Sequence, residues 1–322
     1  MTSERCRYAP TPSGPAHPGT LLAGLLCWLD ARSRGAHLLL RLEDVDRERC
    51  SPEFADEMRA ALHWLGMDWD AEAVQSHRHA SHVTALDHLA HQGLLYPCDC
   101  SRNEVRRAGV RAADGGWRYP GTCRERPLPA AGWRTCQQAL RLRLPGATVA
   151  VQDEGHRSLC QEPLADLGDP VVRRRDGSIA YHLAVVMDDG SDSITRVVRG
   201  HDLAPATAIH RALQQALDLP TPNYRHHLLL LEESGGKFAK FHGAVGWREL
   251  RSHASAERVT GVLAHAAGLL ETPEDATPAA LLAAFDWARV ERRDQVMRWE
   301  SGVLSLVGPG PPAQRAPERS ED

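Results

Sequence analysis

Apolar and polar positions at the start of the chain predict a strand, a turn, a helix and a second strand. Residues 5–9 form the first strand, and a turn rich in proline and glycine leads to a helix over 20–34. Thr20 is placed as the N-cap of this helix and Gly35 as its stop. The helix presents an apolar stripe of Leu21, Leu22, Leu25, Leu26, Trp28 and Leu29.

The second strand, over 37–42, ends in the acidic segment 43–46. Strand, glycine-containing turn, helix and strand in this order are typical of a parallel α/β sheet. Ligands of such sheets bind at the carboxyl ends of the strands. The predicted fold class is therefore α/β, with a Rossmann-type parallel sheet.

The pattern changes at about residue 94, where a stretch rich in cysteine, arginine, proline and glycine begins and continues to 166. We interpret this stretch as an insertion, after which the α/β pattern resumes and a helical C-terminal region follows. The composition of 309–322 is typical of a disordered tail. The predicted later elements are a hairpin over 171–184, a strand over 193–198, and helices over 205–217, 245–270 and 278–293.

These patterns predict a catalytic domain in two halves, separated by the insertion. The segments are 1–93 and 167–225 for the two halves, 94–166 for the inserted subdomain, 226–308 for a lysine-bearing loop with the helical C-terminal region, and 309–322 for the tail.

Composition fits an ordinary globular protein of 322 residues, enough for about two domains. No apolar run approaches the roughly 20 residues of a membrane helix, so we expect a cytoplasmic protein. A net charge of -4 gives no global signature of nucleic-acid binding. Local arginine groups at 102–126 and 173–175 could still contact phosphates, although most are explained as solvated faces. In a reducing compartment the eight cysteines are thiols or metal ligands.

Lysine is confined to one short segment. Lys237 and Lys240 are the only lysines among 38 basic residues, and two glycines precede them. An ammonium group on a flexible stem can follow phosphates that move during a reaction, whereas arginine favours static bidentate contacts. The segment thus indicates phosphate chemistry, with two solvated surface lysines as the alternative.

A second candidate site lies at the start of the first predicted helix. His17, Gly19 and Thr20 place an imidazole, a backbone without a side chain and a hydroxyl at a helix N-terminus, where donors and dipole favour an anion. Taken alone, a histidine here is more often a cap or a packing residue. Together with the distant lysines it favours a nucleotide site.

The inserted segment carries a candidate metal site. Cys98 and Cys100 form a Cys-x-Cys pair, and Tyr119 and Cys123 follow. Three thiolates can hold a structural Zn²⁺, which would stabilise a segment with few apolar residues. Free cytosolic thiols are the alternative.

The two candidate nucleotide motifs, in this order, resemble the ATP-binding signatures of class I aminoacyl-tRNA synthetases. The segments 7–15 and 41–47 resemble the corresponding parts of glutamyl-tRNA synthetases. The resemblance covers most of 5–245. It implies ATP-dependent formation of glutamyl-adenylate, with Mg²⁺ accompanying ATP.

The resemblance also implies roles for individual residues. His17, Gly19, Thr20, Lys237 and Lys240 would form the catalytic ATP site. Glutamate would be bound by Arg7 and Arg199 as cations, Glu43 as the anion, and Tyr181 as a wall and hydroxyl donor. One structural Zn²⁺ in an acceptor-type subdomain would be held by Cys98, Cys100, Tyr119 and Cys123.

The chain most resembles a short branch of these enzymes that lacks the anticodon-binding domain, because only about 80 residues follow Lys240. That resemblance implies transfer of glutamate to queuosine at the wobble position of tRNA(Asp). The partners would be ATP, L-glutamate and the tRNA(Asp) anticodon loop, bound by a monomer. Two alternatives stay open: a truncated glutamyl-tRNA synthetase that charges another acceptor, and an inactive RNA-binding paralogue. The latter is motivated by Ala239, where the family usually has serine.

Overall fold

The computed structural model describes residues 4–155, 159, 161–236 and 245–311. The chain divides into two compact units, each made from separate stretches of sequence. The first unit comprises Met1–Ala73, Arg196–His201 and Arg225–Asp322, and the second comprises Val74–Thr195 and Asp202–Tyr224. Within the described ranges, no helix combines the length and apolar character needed to cross a membrane.

The strands form three sheets. In chain order the strands are β1 (Arg5–Tyr8), β2 (His37–Leu42), β3 (Ala71–Val74), β4 (Leu95–Cys98), β5 (Ala139–Leu142), β6 (Val171–Arg173), β7 (Arg196–Gly200), β8 (Asn223–His227), β9 (Leu230–Leu231), β10 (Gln295–Glu300) and β11 (Val303–Pro309). The strand orders in the three sheets are β3-β2-β1-β7-β8, β11-β10-β9 and β4-β5-β6.

The helices accompany these strands in an alternating order through much of the chain. They are α1 (Pro18–Ser33), α2 (Pro52–Trp64), α3 (His79–His91), α4 (Arg102–Arg107), α5 (Pro163–Asp166), α6 (Tyr181–Ser191), α7 (Ala206–Ala216), α8 (Trp247–His253), α9 (Ala256–Ala266) and α10 (Pro278–Leu282).

The first unit is built on the predicted parallel pairing. β1 pairs in parallel with β2 on one side and with β7 on the other, so the three strands end at the same edge of the sheet. The leucines of α1 are fully buried, and most of the helix is buried on all sides. The α/β prediction is confirmed for this unit.

The start of α1 corrects one prediction. The N-cap is His17, whose side chain accepts a hydrogen bond from the Thr20 backbone N–H, and Thr20 lies inside the first turn. Pro18 occupies the first turn, where its missing N–H costs no helical hydrogen bond. Gly35 follows the helix with a φ of 61°, which confirms it as the stop.

The C-terminal part is less helical than predicted. α8 and α9 are separate helices in the span predicted as one, and α10 covers only the first five residues of its predicted span. An antiparallel pair, β10 and β11, follows and includes Pro309 from the predicted tail. Each of these two strands is partly exposed. Alternation of apolar and polar residues over so few positions is only a weak sequence signal for a strand. Residues 312–322 of the predicted tail lie outside the described part.

The second unit contains an antiparallel sheet, in which β5 pairs with both β4 and β6. The hairpin predicted over 171–184 is correct only in its first part, where Arg173 bridges to Ile179. Its last residues begin α6, and the strand predicted over 193–198 starts later, as β7. The helix predicted over 205–217 is confirmed as α7.

Candidate functional site

The carboxyl ends of β1, β2 and β7 bring together three of the residues predicted to bind glutamate. Arg7 lies in β1, Arg199 lies in β7, and Glu43 directly follows β2. Their exposed fractions are 4%, 6% and 6%. The backbone N–H of Glu43 donates to Pro10 O at 3.0 Å, which holds the end of β2 beside the turn after β1. Two cations and one anion therefore share one edge of the sheet.

Glu43 and Arg199 have partners that the sequence analysis did not assign. Arg41 Nη2 donates to Glu43 Oε1 at 3.0 Å, and Arg41 is fully buried. Arg199 Nε donates to His226 Nε2 at 3.1 Å. The signal that could have identified Arg41 is its position in a strand of buried leucines, because a buried charge requires a partner. His226 has no comparable local signal.

The helix N-terminus beside this edge fixes the chemistry of His17. Its Nδ1 accepts from the Thr20 backbone N–H at 3.4 Å. A neutral imidazole that accepts at Nδ1 carries its proton at Nε2, so Nε2 is a hydrogen-bond donor. The half-buried imidazole thus adds a donor to the positive end of the 16-residue α1. This arrangement suits an anion such as phosphate.

Tyr8 fastens the first turn of α1 to β1. Its hydroxyl donates to Thr20 O at 2.8 Å, and burial raises the pKa of the phenol well above its ordinary value. Tyr8 is therefore a neutral donor that sets the position of the turn containing Gly19 and Thr20.

Lys237 and Lys240 lie outside the described residues, but both flanks of their segment are described. Before it, the Glu232 N–H donates to Gly236 O at 2.8 Å and closes a turn. After it, the Trp247 N–H donates to Ala16 O at 2.7 Å. A Cβ on Gly246 would lie 3.1 Å from Pro15 Cβ, so glycine permits this close approach. The described chain after the segment, at Gly246 and Trp247, therefore lies beside the residues that precede His17.

Tyr181 is the first residue of α6 and belongs to the second unit. Its ring centroid lies 5.3 Å from that of His182 and 5.5 Å from that of His210. His182 Nδ1 and His210 Nε2 are 3.2 Å apart, so one donates to the other. Three rings thus form one packed group, in which the two histidines were not identified from sequence.

The second unit also contains the predicted cysteine cluster. The Sγ atoms of Cys98, Cys100 and Cys123 all lie within 4.8 Å of one another, and those of Cys100 and Cys123 are 3.7 Å apart. A disulfide needs about 2.05 Å, so these are thiols. Tyr119 Oη lies 3.4 Å from Cys98 Sγ and accepts from the Cys123 N–H at 2.8 Å. The four predicted residues converge, although two segments of chain supply them.

A cation lies beside the cluster. Arg141 Nε donates to Cys98 Sγ at 3.2 Å, and its guanidinium carbon lies 3.6 Å from the centroid of the Tyr119 ring. Burial by itself would raise the pKa of Cys98, but hydrogen bonds from Tyr119 and Arg141 outweigh it and lower that pKa. Burial, the neighbouring Cys123 and the other thiols raise the pKa of Cys100 to about 11. The cluster has the donor set of a thiolate-rich metal site.

Comparison with known proteins gives the family. Residues 4–252 match the family model described as tRNA synthetases class I (E and Q), catalytic domain. A curated glutamyl-Q tRNA(Asp) synthetase from Symbiobacterium thermophilum is 40% identical over 306 residues, covering 89% of this chain and 93% of that protein. Another of the same name, from Burkholderia mallei, is 42% identical over 298 residues and covers 89% and 97%.

A solved structure is similar in fold. The glutamate tRNA ligase from Elizabethkingia meningosepticum, in complex with its amino acid, superposes with a TM-score of 0.75 at 23% identity. The match covers 91% of this chain and 67% of that one. The structural match shows the fold. The family model and the curated relatives show that the chain belongs to the glutamyl-Q tRNA(Asp) synthetase branch of the class I tRNA synthetases for glutamate and glutamine.

Proposed function

We propose that this protein activates glutamate with ATP and transfers it to queuosine at the wobble position of tRNA(Asp). The observation that carries the proposal is the carboxyl edge of the first unit's sheet. There Arg7, Arg199 and Glu43 provide charges opposite to those of glutamate, in the same unit as the N-terminus of α1. The curated relatives named above support the choice of acceptor.

The first step joins two anions. A carboxylate oxygen of glutamate attacks the α-phosphorus of ATP, the new P–O bond forms, and pyrophosphate leaves with the electrons of the broken bond. In the second step a nucleophilic group of queuosine attacks the acyl carbon and the C–O bond to the phosphate breaks. AMP leaves with the electrons of that bond, and the proton of the nucleophile passes to AMP or water. No protein nucleophile is needed, so the protein's task is to position the reactants and stabilise developing charge.

The residues divide this task by charge. The Glu43 carboxylate would accept from the ammonium of glutamate, while Arg7 and Arg199 would donate to its carboxylate groups. His17 Nε2 and the N-terminus of α1 would donate to the phosphates. Bound Mg²⁺ would neutralise further phosphate charge. Lys237 and Lys240 would follow the departing pyrophosphate.

The cysteine cluster fits a structural Zn²⁺. In a tetrahedral site with Zn–S bonds of about 2.3 Å, two sulfur atoms are about 3.8 Å apart, which is the edge of the tetrahedron. The 3.7 Å separation of Cys100 Sγ from Cys123 Sγ agrees with this edge. Tyr119 Oη would be the fourth ligand, and Arg141 would offset the negative charge of the thiolates.

The proposed function is tested by two assays on the full chain. Glutamate-dependent exchange of pyrophosphate into ATP reports activation, and transfer of labelled glutamate to tRNA(Asp) with and without queuosine reports the acceptor. We expect exchange, and transfer only to the modified tRNA. Equal charging of unmodified tRNA would favour a truncated glutamyl-tRNA synthetase. Complete absence of exchange would favour the inactive paralogue that Ala239 suggests.

Replacing Lys237 with arginine is expected to lower the rate of glutamate-dependent pyrophosphate exchange about tenfold. The substitution keeps the charge, but a rigid planar fork cannot follow a departing phosphate as an ammonium does. The KM for glutamate should stay near the native value. Ser234→Ala in the adjacent turn is the control and should retain full activity, since its hydroxyl is exposed. A native rate in the Lys237→Arg variant would remove the lysines from the mechanism.

Purified native protein is expected to contain one zinc ion per chain, measured by atomic emission. Cys123→Ala should lose the ion, because three ligands bind zinc much more weakly than four. Cys136→Ala is a matched control, since Cys136 is equally buried in the same unit but lies outside the cluster. Native protein that is active without zinc would contradict the metal assignment.

A further inference from the structure

A group of exposed arginines covers α4 and the turn that follows it. Arg102, Arg106 and Arg107 of α4 are exposed, and so is Arg111 after the helix. We call these four residues the α4 arginine surface. Val105 points the other way and packs with Tyr96, Cys98, Tyr119 and Cys123 in one buried cluster.

An indole holds two of the four guanidinium groups in place. The guanidinium carbon of Arg111 lies 4.1 Å from the ring centroid of Trp117, and that of Arg106 lies 5.9 Å from it. Trp117 also packs against the buried cluster. Backbone hydrogen bonds fix the turn, with the Arg118 N–H donating to Val110 O at 3.0 Å. The cations are therefore ordered before any partner binds.

The guanidinium groups of this surface lack direct ion pairs among the described residues. Within the described part of the chain, none of the four arginines forms a salt bridge. The carboxylate of Glu104, on the same helix, instead accepts from the backbone N–H and the hydroxyl of Ser101, both at 2.7 Å, and caps the helix. Some other surface arginines behave differently, since Arg34, Arg59 and Arg298 each bind a carboxylate.

We propose that the α4 arginine surface binds the phosphate backbone of the RNA substrate, an inference that rests on the proposed function. Four arginines that form no salt bridge among the described residues lie on one short segment and match a row of phosphates. Arginine binds phosphate oxygens in a bidentate manner. Because the whole chain carries a net charge of -4, electrostatic attraction of RNA depends on local positive surfaces such as this one. The contacts are to phosphates and carry no base specificity.

The test uses R102Q/R106Q/R107Q in the full chain, with binding of tRNA(Asp) measured at several NaCl concentrations. Each lost phosphate contact should reduce the slope of log K against log[salt] by about 0.7 to 0.9. We expect a slope smaller by about 2, affinity at least tenfold weaker at 100 mM NaCl, and unchanged glutamate-dependent pyrophosphate exchange. The control R34Q/R59Q/R298Q removes the same charge from paired sites in the first unit and should bind RNA as the native protein does.

A second variant guards against misfolding. R102Q/R107Q leaves the contacts to Trp117 intact, and it should reduce the slope by more than 1 while zinc content and thermal unfolding stay native. Unchanged slope and affinity in both variants would overturn the proposal, as would an equal loss in the control. Stronger binding of poly-L-glutamate than of tRNA, lost in the triple variant, would instead assign the surface to an acidic protein. Failure of the proposed function is separate, because it appears as absent exchange in the native protein.

Discussion

Asp30→Asn is expected to lower the free energy of unfolding by about 3 to 5 kcal/mol. Asp30 and Arg196 form a buried ion pair in which each side chain is 1% exposed. Arg196 Nε and Nη2 donate to the carboxylate at 2.6 and 2.9 Å, and Trp287 Nε1 donates at 2.6 Å. The substitution removes the carboxylate charge that faces the buried guanidinium, and breaking a buried ion pair by removing one of its charges is costly.

This pair also matters for the site. Asp30 belongs to α1, which begins at His17, and Arg196 begins β7, which carries Arg199. The pair thus fixes the helix to the strand in the unit where glutamate and ATP are proposed to bind.

Urea denaturation followed by tryptophan fluorescence measures the effect. The matched control is Glu233→Gln, which breaks the exposed pair with Arg298 and should leave the free energy of unfolding close to native. A loss of under 1 kcal/mol for Asp30→Asn would show that the buried pair contributes little.

Glu43→Gln is expected to lower kcat/KM for glutamate about 100-fold in pyrophosphate exchange. A charged hydrogen bond to the ammonium is worth about 1.5 to 3 kcal/mol, and the neutral amide keeps the shape but not the charge. The KM for ATP should change little, because the phosphates are proposed to bind at the start of α1. The amide also weakens the contact with Arg41, so thermal unfolding is measured alongside.

Glu48→Gln is the control for this experiment. It makes the same charge change five residues away, in an exposed position with no ion pair in the described part of the chain. It should retain native kinetics. If Glu43→Gln keeps kcat/KM within twofold of native, Glu43 does not bind the ammonium.

Local patterns predicted the first unit well. The β1, α1 and β2 spans agree with the predicted spans to within about two residues. The agreement is good because the hydrophobic period of an element and the residues of its turns are local properties of the sequence. The predicted N-cap of α1 was wrong. Thr20 is a good N-cap by residue type, but the helix begins earlier because Pro18 fits its first turn and the His17 side chain caps it. The roles of Arg7, Glu43, Tyr181 and Arg199 stay predictions.

Later elements were predicted less well, for a physical reason. Tyr181 and the residues after it were assigned to a hairpin because apolar runs of this length suit a strand or a buried helix equally. Contacts of α6 with α3 and α7 decide for the helix, and the pairing of β10 with β9 and β11 decides for strands at 295–309.

The sequence by itself determined the parallel α/β start, the types of residue available for phosphate, glutamate and metal, and their order along the chain. The tertiary structure alone decided which charges are paired. Asp30 and Arg196 are 166 residues apart, and Tyr119 reaches Cys98 across 21. Distant partners leave no periodic signal in the chain, since the free energy that joins them arises when the fold removes both from water.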